Sequence, residues 1–220
     1  MHSIVLATQK GGSGKSTLAI GLAVAAMEDG HRVGMIEADP QGTLASWGRR
    51  RADPKPRIER AGDGAEIARA IRNLQRDGFT VAVIDTAATD NAVTLSGIGA
   101  ADLCLIPVRT SPADIEAALP TLDAARRLNK RFAFILNQTP ARSYRVSEAA
   151  EALHAAGALA LPFIVQRNDH QDALGAGLGV TEFNAGGKAA EEIRGLWQWV
   201  RRTLTTESYE HVPSAIKAAG

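Results

Sequence analysis

A chain of 220 residues has room for one sizeable core, and not for two ordinary domains joined by a linker. Its 45% apolar and 22% charged residues exclude a disordered or fibrous chain, and a formal charge of +1 excludes a global field toward nucleic acid or anionic lipid, so such binding needs a local patch. The one cysteine, Cys104, cannot close an internal disulfide and supplies too few thiolates for structural zinc; it reads as a packing residue in a reducing cytoplasm.

Short apolar, β-rich runs predict strands at Ser3–Thr8, His31–Glu37, Thr80–Asp85, Asp102–Pro107, Arg131–Asn137 and Leu159–Val165. Helices are expected between and after them, at Lys15–Asp29, Gly42–Arg50, Ala65–Asp77, Ala92–Ala100, Pro112–Leu128, Val146–Ala156 and Ala185–Leu204. Ala52–Pro56, with two prolines, reads as a surface loop. Several strands are apolar throughout, as strands covered on both faces are. The alternation predicts an α/β fold: a doubly wound, mostly parallel sheet with helices on both faces. One domain is expected over 1–206, followed by a tail at 207–220.

The segment Gln9-Lys10-Gly11-Gly12-Ser13-Gly14-Lys15-Ser16-Thr17 lies directly after the first strand and opens the first helix. A helix N-terminus offers unpaired amides and the positive end of a dipole, and glycines let the backbone curl around a polyphosphate. Gly11, Gly12, Ser13, Gly14, Lys15, Ser16 and Thr17 are therefore candidate phosphate-binding residues, with Lys15 on the β- and γ-phosphates and the Ser16 hydroxyl on Mg²⁺. The segment departs from G-x-x-x-x-G-K-[ST] at Gln9 and matches K-G-G-x-G-K-[ST], the deviant Walker A form, in which a second lysine, Lys10, precedes the glycines. It also fails the dinucleotide pattern G-x-G-x-x-G, at Thr17. The apolar run Leu18–Met27, which superficially imitates a secretory signal, is better explained as the helix after this loop.

Ligands of open parallel sheets bind beyond the carboxyl ends of the strands. Val81-Ala82-Val83-Ile84-Asp85 has the form of a Walker B strand whose aspartate holds Mg²⁺ through water; the alternative for Asp85 is a strand-end turn cap. Glu37 and Asp39 share one face of a strand that Pro40 ends, placing Asp39 near the γ-phosphate. Glu37 is open to two readings, an ion pair with Lys15 or Lys10 and a direct part in catalysis.

Lys10–Ser16, Ala38-Asp39-Pro40-Gln41-Gly42 and Val83-Ile84-Asp85-Thr86 together resemble the ParA/MinD family of deviant Walker ATPases, in particular small ParA-type partition proteins. The match extends through Asn137 and Asp172–Leu178, over most of residues 2–204. The resemblance implies ATP and Mg²⁺ as cofactors, a homodimer that sandwiches ATP with Lys10 reaching the partner's phosphates, and Asp39 as a water-positioning or metal-linked aspartate. It implies that Asn137 reads the adenine edge, a turn asparagine before Thr139-Pro140 being the alternative. Two departures stand out: Glu37, where relatives often have Asp, and Ala87 and Ala88, where they have prolines.

The resemblance further implies non-specific DNA binding, a ParB-like activator, and a cytoplasmic, nucleoid-associated protein that positions a plasmid, a chromosome region or a protein cluster. Sequence-specific operator binding is not expected, since the phosphate loop starts close to residue 9. The basic clusters are Arg49-Arg50-Arg51 with Lys55 and Arg57, Arg126-Arg127 with Lys130 and Arg131, and Arg142 and Arg145, which join Arg201 and Arg202 only if the fold brings them together; for each a solvated helix face outweighs DNA binding, and among the three the last is favoured for DNA. A MinD-like membrane helix is weighed at Ile193, Leu196, Trp197, Val200 and Leu204, and core packing of that helix is preferred. An ATP-dependent amide-forming enzyme is the remaining alternative, with no acceptor-site motif to support it.

Overall fold

The computed structural model describes residues 1–89 and 91–206; the tail expected at 207–220 lies outside the described residues. In chain order the elements are β1 (His2–Leu6), α1 (Lys15–Glu28), β2 (Val33–Ala38), α2 (Thr43–Arg50), β3 (Arg57–Arg60), α3 (Gly64–Arg76), β4 (Val81–Thr86) and α4 (Ala92–Ala100). There follow β5 (Leu103–Val108), α5 (Pro112–Glu116), α6 (Leu119–Arg127), β6 (Arg131–Leu136), α7 (Tyr144–Ala156), β7 (Leu159–Ala160), α8 (Asn168–Gly175), α9 (Val180–Phe183) and α10 (Lys188–Thr205). The strands form one seven-stranded sheet, β3-β2-β4-β1-β5-β6-β7, and every pair is parallel.

Strand side chains alternate between two cores. Ile4, Leu6, Val83 and Leu105 face a cluster built with α1, α2, α8, α9 and α10, while Val5, Ile84 and Ile106 face one built with α3, α4, α6 and α7. β2, β4 and β5 are buried along their whole length, which is why they read as unbroken apolar runs. α1 is buried from Leu18 to Ala26 because the sheet and α10 cover opposite sides of it, and this accounts for the signal-like run. Gly21 permits the α1–α10 approach: a Cβ there would lie 3.2 Å from Ile193 Cδ1.

Several details differ from the sequence expectation. The helix expected over Pro112–Leu128 is two, α5 and α6, broken at Ala117 and Ala118; Pro120 falls in the first turn of α6, where its missing N–H is harmless. The last strand is Leu159–Ala160, after which Pro162 lacks a ladder donor and the chain rejoins the end of β6 through the Ile164 amide on the Leu136 carbonyl (2.9 Å) and a Thr139–Val165 bridge. β3 was not expected, since Arg57-Ile58-Glu59-Arg60 carries the charges of an edge strand instead of an apolar run. α8 and α9 were likewise unread, and α10 begins at Lys188 instead of Ala185.

Candidate nucleotide site

The site is built at the carboxyl end of β1. Gly12 (φ 72°) and Gly14 (φ 89°) adopt the left-handed conformation that turns the backbone into α1, with Gly14 at the N-cap. Gly14 is doubly constrained, because a Cβ would lie 2.4 Å from Asn137 Nδ2, whereas Gly11 faces open space. Lys15 is buried, and its ammonium donates to the carbonyls of Thr8 (3.3 Å) and Lys10 (3.5 Å), inside the curl of its own loop. Burial holds its pKa below the usual lysine value, against the pull of Asp85 and Asp39. The buried hydroxyls of Thr8 and Ser13 have no hydrogen-bond partner, so polar capacity remains unused in this loop.

Register and side-chain parity bring the strand-end residues together. Asp85 pairs across the ladder with Leu6 of β1 and with Glu37 of β2, and its side chain points to the same face as α1. It is fully buried, and neither carboxylate oxygen has a well-formed hydrogen bond. Burial pushes its acid up to about 7; the Ser16 hydroxyl and the Lys15 ammonium oppose that shift, and the charges of Asp39 and Glu37 reinforce it. A buried, orphaned carboxylate beside a hydroxyl fits Mg²⁺, a hard cation that takes one or two protein oxygens and completes its shell with phosphate and water. Asp39 is half-buried at the end of β2, where its Oδ1 accepts the Gln41 amide at 2.9 Å. Among the described residues, the Lys10 ammonium makes no hydrogen bond or ion pair, although its side chain is half-buried at the loop.

Glu37 does not pair with Lys15 or Lys10. Its Oε1 accepts the amides of Leu44 (2.7 Å) and Ala45 (3.3 Å) in the first turn of α2, and its Oε2 lies 3.6 Å from Nε of Arg60. Arg60 belongs to the unforeseen strand β3, so the sequence carried no sign of this partner.

Beside the loop, Gly14, Thr17, Asn137, Gln138, Arg167 and His170 help to line a cleft of about 120 Å³. Asn137 is buried and donates from Nδ2 to the Ser13 carbonyl at 2.7 Å, which leaves its Oδ1 as the acceptor. Gln138, which sequence reasoning passed over, donates to the Gly12 carbonyl at 3.1 Å. Arg167 is fixed by Glu192 of α10 at 2.6 Å, and His170 is half-buried with an unpartnered Nε2.

The basic clusters are broken up by the fold. Arg51 is nearly buried, forming a two-pronged pair with Glu182 (2.6 and 2.7 Å) over the face of Trp47. Arg57 is tied to Asp77 and Glu59, Arg126 donates to the Ala156 carbonyl, and Arg131 donates to the Thr203 carbonyl. Arg142 and Arg145 lie just beyond the carboxyl end of β6, whereas Arg201 pairs with Asp29 at the end of α1, on the side of the strands' amino ends, with Arg202 beside it. The favoured four-arginine patch is therefore two separate pairs. The apolar stripe of α10, Ile193, Leu196, Trp197, Val200 and Leu204, is buried in the core, and among the described residues no helix is long and apolar enough to cross a membrane. Cys104 is fully buried and its thiol is pushed up to about 12, so it is a packing residue.

Residues 4–180 match the model of the CobQ/CobB/MinD/ParA nucleotide binding domain. The chain is 30% identical over 201 residues to the Maintenance of carboxysome distribution protein A of Halothiobacillus neapolitanus, covering 87% of this chain and 92% of the relative. Its fold is similar to that of apo McdA from Cyanothece (TM-score 0.76, 20% identity, 93% of this chain and 99% of that one). It is also similar to the septum site-determining protein MinD complexed with Mg-ADP from Pyrococcus horikoshii (TM-score 0.74, 16% identity, 93% and 97%). With the strand–loop–helix geometry and the extra lysine at its head, these matches place the chain in the CobQ/CobB/MinD/ParA nucleotide-binding family, among the ParA/MinD-type positioning ATPases.

Proposed function

We propose that the protein is a Mg²⁺-dependent ATPase that dimerises around ATP, binds DNA without sequence preference in that state, and positions a cargo on the nucleoid until hydrolysis, stimulated by a ParB-like partner, resets it. The observation that carries this reading is Lys10, a half-buried residue at the phosphate loop whose ammonium makes no hydrogen bond or ion pair among the described residues, although it lies within electrostatic reach of Asp114. A cation so placed suits the phosphates of a nucleotide held by a second copy, where it acts as an arginine finger does.

The residues divide the chemistry as follows. Amides of the loop from Gly11 to Thr17 and the Lys15 ammonium cradle the phosphates, and the left-handed glycines present those amides without steric cost. Ser16 and, through water, Asp85 would hold Mg²⁺, which supplies charge neutralisation on the phosphates when bound. Asp39 orients the attacking water for in-line displacement, and Lys10 of the facing copy stabilises charge that develops on the transferred group. Asn137, its Nδ2 engaged by Ser13, offers Oδ1 to the exocyclic amine of adenine.

The test is a DNA shift assay in ATP, ADP and no nucleotide, with Lys10→Ala alongside. The reading expects a shift in ATP alone, lost in Lys10→Ala together with the ATP dimer seen by sizing chromatography, while monomer nucleotide binding survives. Equal shifts in all three states would overturn it. Arg142 with Arg145, and Arg201 with Arg202, are tested as separate pairs, since a true contact pair reduces the salt slope of binding when its charge is reversed. Flotation with anionic vesicles instead of a DNA shift would favour a membrane-bound protein, a reading the buried stripe of α10 argues against.

A further inference from the structure

Glu37 occupies a position that a direct catalytic role does not explain. Its side chain is 1% exposed, and it stands beside Asp85 in the β2–β4 register, pointing to the same face. A carboxylate buried next to another carboxylate is costly unless its oxygens are engaged. Oε1 is engaged by α2: that helix begins at Gly42 (φ 70°), a residue with no side chain to cap it, and the otherwise orphaned amides of Leu44 and Ala45 converge on Oε1, while Oε2 accepts no hydrogen bond and has only a charge to face it. Arg60 faces Oε2 from β3, where it is the direct register partner of Glu37.

The intervening turn is closed at both ends. Asp39 Oδ1 takes the Gln41 amide, the Asp39 carbonyl takes the Gly42 amide at 3.1 Å, and Glu37 takes the Leu44 and Ala45 amides of the helix. Moving α2 therefore moves Asp39. We propose that Glu37 is a positioning residue: anchored to the first turn of α2 and faced by Arg60, its carboxylate fixes the Asp39–Gly42 turn at the phosphate site. This rests on the ATPase reading above. Length is part of the device, since aspartate is one methylene shorter and falls short of the α2 amides from the same backbone.

Glu37→Ala, Glu37→Gln and Glu37→Asp separate the roles. Amide exchange at Leu44 and Ala45, measured without nucleotide, reads the anchor directly; turnover and ATP affinity read its consequence. In Glu37→Ala both amides lose protection, and turnover falls about tenfold to a hundredfold, because a catalytic group displaced by an ångström costs that much. ATP affinity changes by less than about threefold, since the phosphate loop is untouched. Glu37→Gln keeps an acceptor oxygen and restores both protection and turnover, whereas Glu37→Asp resembles Glu37→Ala.

A Glu37→Gln protein that is protected at both amides yet as slow as Glu37→Ala would overturn the proposal in favour of direct chemistry by the carboxylate. Full turnover in Glu37→Ala would overturn it outright. If Glu37→Ala does not fold, the comparison of Gln with Asp decides. Absence of turnover in the unmodified protein defeats the ATPase reading instead, and the proposal with it, and is distinguished by normal protection of the two amides.

Discussion

Asn137 Nδ2 donates to the carbonyl of Ser13 at 2.7 Å, tying the end of β6 to the centre of the phosphate loop across 124 residues of chain. Both groups are buried, so this bond sets loop shape before any nucleotide arrives. Asn137→Ala leaves the Ser13 carbonyl without its donor and is expected to cost about 1–3 kcal/mol. At this chain length that lowers the melting temperature by about 2–4 °C for each kcal/mol, read by thermal unfolding of the nucleotide-free protein.

Gly14→Ala should be more severe. It adds a Cβ 2.4 Å from Asn137 Nδ2 and imposes a left-handed conformation on a residue that resists it, at φ 89°. The conformational part alone costs about 1–2 kcal/mol, and the clash expels Asn137 from its bond. Nucleotide affinity, measured by titration calorimetry, should fall at least about tenfold, while Gly11→Ala, which meets nothing within 4 Å, should leave stability within about 0.5 kcal/mol.

Asp85 makes stability and cation binding depend on pH in opposite senses. Its folded-state pKa of about 7 lies above the 3.8 of the free group, so between those values the folded protein holds a proton that the unfolded chain has released. Stability of the nucleotide-free protein therefore declines as pH rises through that window and levels off above 7. Asp85→Asn removes the buried charge and is expected to raise the melting temperature most at pH 8, with the gap closing toward pH 4. Mg²⁺-nucleotide binding needs the ionised form, so below pH 7 its affinity should fall by about tenfold per pH unit, with proton release seen by calorimetry in two buffers.

Arg51 and Glu182 test the reassignment of a basic cluster. The Arg51 side chain is 3% exposed and Glu182 28%, and their pair joins α2 to α9, supported by the Trp47 Nε1 bond to the Leu178 carbonyl at 3.1 Å. Arg51→Ala is expected to cost about 2–3 kcal/mol by urea denaturation, below the usual 3–5 for a buried pair because Glu182 regains water. On the proposed DNA-binding function, Arg51→Ala leaves DNA affinity and its salt slope unchanged, since this guanidinium is turned into the protein.

What was legible in the sequence had local causes. Glycines at Gly12 and Gly14, a lysine one residue later and an apolar strand carrying Asp85 suit a phosphate loop that opens a helix on a covered sheet, so spacing alone marked them as candidates, and the structure gathers them at one end of the sheet. The parallel, two-faced sheet followed from the same kind of evidence, because doubly covered strands lose their polar alternation.

The rest depended on which distant segments meet. β3 escaped notice because an edge strand is held by backbone bonds to β2 and needs no apolar run, and with it went Arg60, the counter-charge that faces Glu37. Runs of arginine looked alike in one dimension, but folding buried Arg51, tied Arg57 to Asp77 and put Arg142 and Arg201 toward opposite ends of the sheet. Chain order was enough to mark a glycine-rich loop with two lysines and carboxylates at strand ends as the place for phosphate chemistry. The partners came from folding, since an ion pair or a cap depends on distances of a few ångströms between residues that chain order does not bring together.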